Sequence, residues 1–140
     1  MAAQILVVDD ELDMLALLAM IISEKTKHKV TTTNNPLEVP ELIKTGDYNL
    51  LISDLKMPSM DGVGLIAEIR KIDKYIPIVI ITAYGSVESA EEVIRKGAYG
   101  CITKPFRKEQ ILIAIDRALE WQQMKKELRR LKEKTVANTP

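Results

Sequence analysis

The sequence is poor in the residues that build disulfide frameworks and metal centres. Its 140 residues include one cysteine and one histidine, which excludes a disulfide-stapled fold, a multi-cysteine zinc site and a histidine-rich metal site. The longest apolar run, residues 14–22, is much shorter than the roughly 20 residues that span a bilayer, so we expect no membrane segment. The first residues lack the basic stretch of a secretion signal, and we therefore predict a cytoplasmic protein.

Net charge is also absent, because 20 Lys and Arg balance 20 Asp and Glu. The balance is uneven along the chain: residues 104–134 carry ten basic and five acidic side chains, and the preceding part is acidic. Acids are interleaved among these basic residues and no reading helix follows them, which argues against direct nucleic-acid binding. With 46% hydrophobic and 29% charged residues, the chain has the composition of one folded domain.

Short apolar runs rich in β-branched residues alternate with amphipathic stretches. Strands are predicted at residues 5–8, 30–33, 50–53, 78–82 and 100–103. Helices are predicted at residues 12–22, 63–72, 87–96 (ended by Gly97) and from 107 to about 134. Three of the strand runs are continuously apolar, which is typical of strands buried on both faces. The order therefore predicts an α/β fold, a doubly wound five-stranded parallel sheet with an extended C-terminal helix.

A further helix is indicated between the second and third strands, but prolines complicate it. Pro36 suits the first turn of a helix, whereas Pro40 does not suit a helix interior. We expect the helix in residues 36–45 to be short, late-starting or distorted.

Polar residues follow four of the predicted strands. The first strand ends in Asp9, Asp10 and Glu11, the third in Asp54, the fourth in Thr82 and Ala83, and the fifth in Thr103, Lys104 and Pro105. Ligands of open parallel sheets bind beyond the carboxyl ends of the strands. We therefore expect these side chains to converge on one edge of the sheet, an arrangement that core packing does not require.

Three carboxylates at that edge repel one another and suit Mg²⁺, which takes one or two carboxylates together with a phosphate. Asp9 and Asp10 would hold the metal, and Asp54 would be free to act as a nucleophile that forms an aspartyl-phosphate. The alternative is that an aspartate of the pair only caps the helix that begins near Leu12.

The remaining residues at this edge suit a phosphoryl group. Its charge must be neutralised by metal, ammonium and hydroxyl groups. Lys104 would bind one phosphoryl oxygen, Thr82 would hydrogen-bond another, and the small Ala83 would leave space for the group to enter.

Four segments, ILVVDDE, ISDLKMPSMDG, ITA and GCITKPF, together resemble the receiver domain of two-component response regulators over about residues 4–119. The resemblance implies that Asp54 accepts phosphate from a histidine kinase and that the backbone carbonyl of Lys56 joins Asp9, Asp10 and Asp54 around Mg²⁺. It also implies a cis peptide bond between Lys104 and Pro105, a loop shaped by Met57, Pro58, Asp61 and Gly62, and dephosphorylation rates modulated at Lys56 and Tyr84.

The sequence departs from this family at one switch position. Many receivers have an aromatic residue three places before the lysine, where this chain has Cys101, which we expect to be a small buried residue. Tyr99 would share the strand face of Cys101 at a greater distance from the site. Thr82 and the helix after the fourth strand are then the expected moving parts. His28, in a polar run, is expected to face solvent.

The last predicted helix is longer than a receiver requires. We divide the chain into a receiver, residues 1–119, and a helical extension with a frayed tail, residues 120–140. Trp121, Met124, Leu128, Leu131 and Thr135 follow heptad spacing. This seam predicts a parallel homodimer, and the alternative is a solvated helix with scattered apolar residues.

A receiver followed by such a helix resembles the front of nitrogen-regulatory, sigma-54-dependent transcriptional activators. We expect a signalling domain with transcriptional output, and not an enzyme beyond Mg²⁺-dependent self-phosphorylation and autodephosphorylation. The alternatives are a stand-alone receiver or a degenerate one that serves as a dimerisation scaffold. Two other classes fit less well: a flavodoxin-like protein needs a phosphate loop where this chain has acids, and a haloacid-dehalogenase-type phosphatase carries its nucleophile after the first strand.

Overall fold

The computed structural model of the chain describes residues 2–83 and 87–137. Its strands are β1 (Gln4–Val8), β2 (Lys29–Thr33), β3 (Leu50–Asp54), β4 (Ile78–Thr82) and β5 (Gly100–Thr103). Its helices are α1 (Leu12–Lys25), α2 (Val39–Thr45), α3 (Gly62–Ile72), α4 (Val87–Arg95) and α5 (Lys108–Ala137). The strands form one parallel sheet in the order β2-β1-β3-β4-β5. The predicted fold class is confirmed.

The core lies on both faces of the central strands. Alternate residues of β1, such as Leu6 and Val8, pack with α2, α3 and α4, while Ile5 and Val7 pack with α1 and α5. The same alternation holds along β3 and β4, whose residues are all buried. Continuous apolar runs are thus explained by a sheet that is covered on each side.

The segment with two prolines begins as a short 3-10 turn, Pro36–Glu38, and only then becomes α2. Pro40 falls in the first turn of α2, where a backbone N–H has no hydrogen-bond acceptor within the helix and the one that proline lacks is therefore not missed. The helix is therefore late-starting and, at 7 residues, also short, as two of the alternatives predicted.

The last helix runs for 30 residues, or about 45 Å at 1.5 Å per residue. Its first half covers the sheet through Ile111, Ile115 and Ala118, which are buried. We call residues 120–137 of α5 the extension. Among the described residues, no helix is both long and apolar enough to cross a membrane.

Two expectations about single side chains were wrong. Tyr99 packs on the α1/α5 face of the sheet, opposite Cys101, because it precedes the first residue of β5 and the strand alternation does not extend to it. His28 is half-buried rather than solvent-facing, since its Nδ1 accepts a 2.9 Å hydrogen bond from the backbone N–H of Ala3.

A glycine ends α4, as predicted. Gly97 has a φ of 120°, and the N–H of Ala98 returns to the carbonyl of Val93 at 2.9 Å, the closing bond of a helix C-terminus. A Cβ at Gly97 would stand 3.0 Å from Nε of Arg70. Both the backbone conformation and the neighbouring guanidinium therefore require glycine here.

We predict that Gly97→Ala lowers the free energy of unfolding by about 1–3 kcal/mol, because a side chain is strained at this φ. Gly100→Ala is the control: a Cβ at Gly100 has no described atom within 4 Å, so its effect should stay below about 1 kcal/mol. Urea unfolding measures both. Equal stability of the two variants would contradict the predicted backbone strain of an alanine at position 97.

Candidate functional site

The register of the sheet brings the carboxyl ends of its five strands level with one another. Val8 pairs with both Thr33 and Ser53, and Thr82 pairs with Thr103. Three backbone bonds continue this pattern beyond the paired residues: Asp9 N–H to the Thr33 carbonyl at 3.2 Å, Leu55 N–H to the Ile81 carbonyl at 3.3 Å, and Lys104 N–H to the Thr82 carbonyl at 2.8 Å. The functional residues therefore leave the sheet from fixed backbone positions.

Three carboxylates converge at this edge. One oxygen from each of Asp9, Asp10 and Asp54 lies within 4.8 Å of the others. Asp9 is 2% exposed and Asp54 8% exposed, while Asp10 faces solvent. Oxygen ligands this close together, with one side open to water, form a donor set that fits Mg²⁺.

One ammonium group faces two of these carboxylates. Nζ of Lys104 lies 3.5 Å from Oδ1 of Asp54 and 3.8 Å from Oδ2 of Asp9. The side chain of Lys104 is 17% exposed, so this ion pair is only partly screened by water. The peptide bond from Lys104 to Pro105 is cis.

Burial shifts the acidity of the two inner carboxylates. It raises the pKa of Asp9 to about 6, with a further upward contribution from Asp54, against the lowering effects of the Glu11 N–H and of Lys104. Burial also raises the pKa of Asp54, although Lys104 and the Leu55 N–H lower it. Without a cation, both carboxylates are therefore costly to keep ionised.

The capping alternative for the Asp9–Asp10 pair is not supported. The N-cap of α1 is Glu11, so both aspartates stand before the helix. Oδ1 of Asp9 instead accepts a 2.9 Å hydrogen bond from the N–H of Glu11, which turns this carboxylate back toward the sheet edge.

The loop after Asp54 is folded tightly against it. The N–H of Gly62 donates to the carbonyl of Leu55 at 2.7 Å, and a Cβ at Gly62 would stand 3.0 Å from the backbone oxygen of Asp54. Asp61 caps α3 by accepting a 2.8 Å hydrogen bond from the N–H of Gly64. Met57 is buried, so both ends of the loop are anchored.

The other predicted site residues are placed as follows. Thr82 is buried at the end of β4. Ala83, the next residue in the chain, and Lys56, two residues after Asp54, are exposed. Tyr84 lies outside the described residues. The contact of Lys104 with Asp9 was not predicted from sequence, because it depends on the register of strands that are distant in the chain.

The family model described as the response regulator receiver domain matches residues 5–116. The chain belongs to the response regulator receiver family. The receiver is 33% identical over 141 residues to the nitrogen assimilation regulatory protein NtrX of Azorhizobium caulinodans, spanning 99% of this chain and 31% of that protein. It spans 26–31% of the length of four curated regulatory proteins that it matches at 31–36% identity, and 98% of the chemotaxis protein CheY of Halobacterium salinarum, to which it is 35% identical.

Solved structures agree with this relationship. The receiver matches the crystal structure of NtrX from Brucella abortus in complex with ADP, with a TM-score of 0.87, 36% identity and coverage of 94% of this chain and 30% of that one. It also matches the solution structure of the beryllofluoride-activated NtrC4 receiver domain dimer, with a TM-score of 0.80, 34% identity and coverage of 85% and 98%. The expected resemblance to nitrogen-regulatory proteins is confirmed.

Because the pKa of Asp9 is raised, the free energy of unfolding of the metal-free protein should fall as the pH rises. The tighter binding of a proton by Asp9 in the folded state stabilises the receiver. This contribution is fully present below pH 3.8, the usual pKa of an aspartate, and is lost as the pH rises through about 6. In a chelator at pH 7, Asp9→Asn should therefore raise the free energy of unfolding by about 1–3 kcal/mol. The difference in the free energy of unfolding between the Asp9→Asn and wild-type chains should become small as the pH falls toward 4.

Urea unfolding between pH 4 and 7 measures this difference. Asp47→Asn is the control, because Asp47 is exposed in a loop away from the cluster and its variant should match the wild-type chain. An Asp9→Asn chain that is less stable than wild type at pH 7 in chelator would contradict the assigned cost of burial.

Proposed function

We propose that this receiver accepts a phosphoryl group on Asp54 from a cytoplasmic histidine kinase, in a Mg²⁺-dependent reaction that switches a transcriptional output. The observation that carries the proposal is the pairing of Asp54 and Asp9 with one ammonium group at an edge where a third carboxylate, Asp10, completes a cation site. Membership of the receiver family supports the kinase as partner.

Asp9, Asp10 and Asp54 would hold the metal together with the backbone carbonyl of Lys56. Bound there, Mg²⁺ supplies positive charge that offsets the carboxylates and the incoming phosphoryl oxygens. The cluster fits such an ion because its oxygens lie within 4.8 Å of one another and because burial makes the uncompensated charges costly.

In the reaction, an oxygen of Asp54 attacks the phosphorus of a phosphohistidine. A new oxygen–phosphorus bond forms while the phosphorus–nitrogen bond breaks, and the imidazole leaves with the electron pair and takes up a proton. Lys104, 3.5 Å from Asp54, would turn to a phosphoryl oxygen. Thr82 would donate to another, and the small side chain of Ala83 would leave the entry open.

We predict that acetyl phosphate labels the wild-type chain in the presence of Mg²⁺ and not in chelator, and that Asp54→Asn abolishes the label because the nucleophile is gone. Asp10→Asn should label poorly, since a metal ligand is lost. Intact-mass spectrometry measures the phosphorylated fraction.

Asp61→Asn is the control for this experiment. Asp61 is an exposed carboxylate near the site that caps α3, and asparagine is also a good capping residue, so labelling should persist. Labelling of Asp54→Asn would contradict the acceptor assignment, and absence of labelling in the wild-type chain with Mg²⁺ would revive the degenerate scaffold.

The output would pass through a homodimer of α5, with residues 1–119 (the receiver) and residues 120–140 (the extension and the tail after it) as separate functional parts. Met124, Leu128 and Leu131 are 58%, 50% and 46% exposed and lie along one stripe at 3-4 spacing. Trp121, also predicted in this seam, stands at its edge and is half-buried. The dimer named in the NtrC4 receiver structure supports self-association.

We predict that Leu128→Glu weakens the dimer at least about tenfold, because each chain loses a leucine that the dimer would bury. Light scattering over a dilution series, with and without beryllofluoride, measures the effect. Gln123→Glu introduces the same side chain at an exposed position outside the seam and should leave the dimer intact. A wild-type chain that is monomeric in both states would refute this output.

A further inference from the structure

The extension is held against its own receiver by two ring contacts, the first of which involves Trp121. Its ring centroid lies 5.4 Å from that of Tyr99, with the planes tilted by 55°, a favourable arrangement for two aromatic rings. Tyr99 lies in the turn between α4 and β5. Nζ of Lys125, one helical turn further on, stands 5.8 Å from the Trp121 ring.

The second contact lies two turns further along the extension. The guanidinium carbon of Arg129 stands 4.9 Å from the centroid of Tyr75, within the range of a cation–π interaction. Tyr75 belongs to the loop between α3 and β4. Trp121 and Arg129 are eight residues apart and therefore lie about 80° from each other around the helix, within one half of its circumference. The extension therefore rests on the receiver along one side.

A single arginine ties together the two loops that carry these tyrosines. Nε and Nη2 of Arg70 donate to the carbonyl of Gly97 at 3.1 and 2.7 Å, and Nη1 donates to the carbonyl of Asp73 at 3.1 Å. The carboxylate of Asp73 in turn accepts the N–H of Tyr75 at 2.7 Å. Gly97 is two residues before Tyr99, so both rings are positioned by contacts that meet at Arg70.

We propose that Tyr75 and Tyr99, positioned by Arg70, form a docking site on the receiver for the extension of the same chain. The occupant is the helix side that carries Trp121 and Arg129. Docking fixes the orientation of the extension, and with it the direction in which the stripe containing Met124 and Leu128 is presented to a second copy.

The docking site also offers a route by which the receiver could control the extension, and this part rests on the proposed function. Tyr99 directly follows the turn at Gly97 that ends α4. A displacement of α4 on phosphorylation would therefore move the Tyr99 ring under Trp121. The extension would change its orientation without any direct contact with Asp54.

Amide hydrogen exchange tests the docking itself in the full chain made monomeric by Leu128→Glu. Arg129→Gln should speed exchange of residues 124–134 by about two- to fivefold, the factor that corresponds to one exposed cation–π contact. Tyr75→Leu should do the same, and Tyr75→Phe, which keeps a ring, should retain most of the protection.

Arg130→Gln is the matched control. Arg129 and Arg130 each form an ion pair with a glutamate of the same helix, Glu133 and Glu127 respectively, so both substitutions remove one such pair. Exchange in the Arg129→Gln chain should exceed that in the Arg130→Gln chain. The double variant Tyr75→Leu/Arg129→Gln should add little to either single change. Equal exchange in the Arg129→Gln and Arg130→Gln chains would overturn the docking site.

Fluorescence tests the coupling, because Trp121 is the sole tryptophan of the chain. Beryllofluoride with Mg²⁺ should change acrylamide quenching of Trp121 in the monomeric chain, and Tyr99→Leu should abolish that change. ¹⁹F NMR records whether beryllofluoride has bound. Binding without a quenching change would refute the coupling, whereas absence of binding would count against the proposed function and leave the exchange result to decide the docking site.

Discussion

One ammonium group faces two buried carboxylates, so negative charge exceeds positive charge at the candidate site. The proposed chemistry of the receiver depends on this excess. Lys104 lies within 4 Å of both Asp54 and Asp9, and Asp10 adds a third carboxylate nearby. Burial, together with the neighbouring charge of Asp54, raises the pKa of Asp9 to about 6 although Lys104 lowers it. A single positive charge does not offset three negative ones in this partly buried site. A divalent cation bound here would supply the two missing charges and leave Lys104 free to meet a phosphoryl oxygen.

The sheet maintains this unfavourable arrangement because its central strands are fixed on both faces. Every residue of β3 and β4 is buried, and burial of apolar side chains is the main stabilising term available to a domain of this size. Gly62 adds a local restraint, since its lack of a side chain lets the loop approach the backbone of Asp54. Stability generated in the core thus offsets the crowding of charge at the edge.

The sequence predicted those features that depend on local patterns. Continuous apolar runs located the strands, and their ends located Asp9, Asp54, Thr82 and Lys104. Features that depend on pairing between distant segments were missed. Arg70 binds a carbonyl 27 residues away, and no pattern marks it. The face of Tyr99 was predicted wrongly, because the alternation rule holds only for residues paired in a strand and pairing in β5 begins at Gly100.

The strands β4 and β5 run from the docking surface of the extension to the candidate site. Thr82 ends β4 and Lys104 follows β5, whereas Tyr75 and Tyr99 precede these strands. The five residues from Tyr99 to Lys104 correspond to about 17 Å at 3.3 Å per residue. The two strands differ in how firmly they are held, since β4 is buried throughout and β5 is a half-buried edge strand. Motion is therefore easier on the side of β5 and α4 than in β4. For this reason Tyr99 is the better placed of the two rings to respond to the site, whereas Tyr75 is the better placed to act as a fixed support.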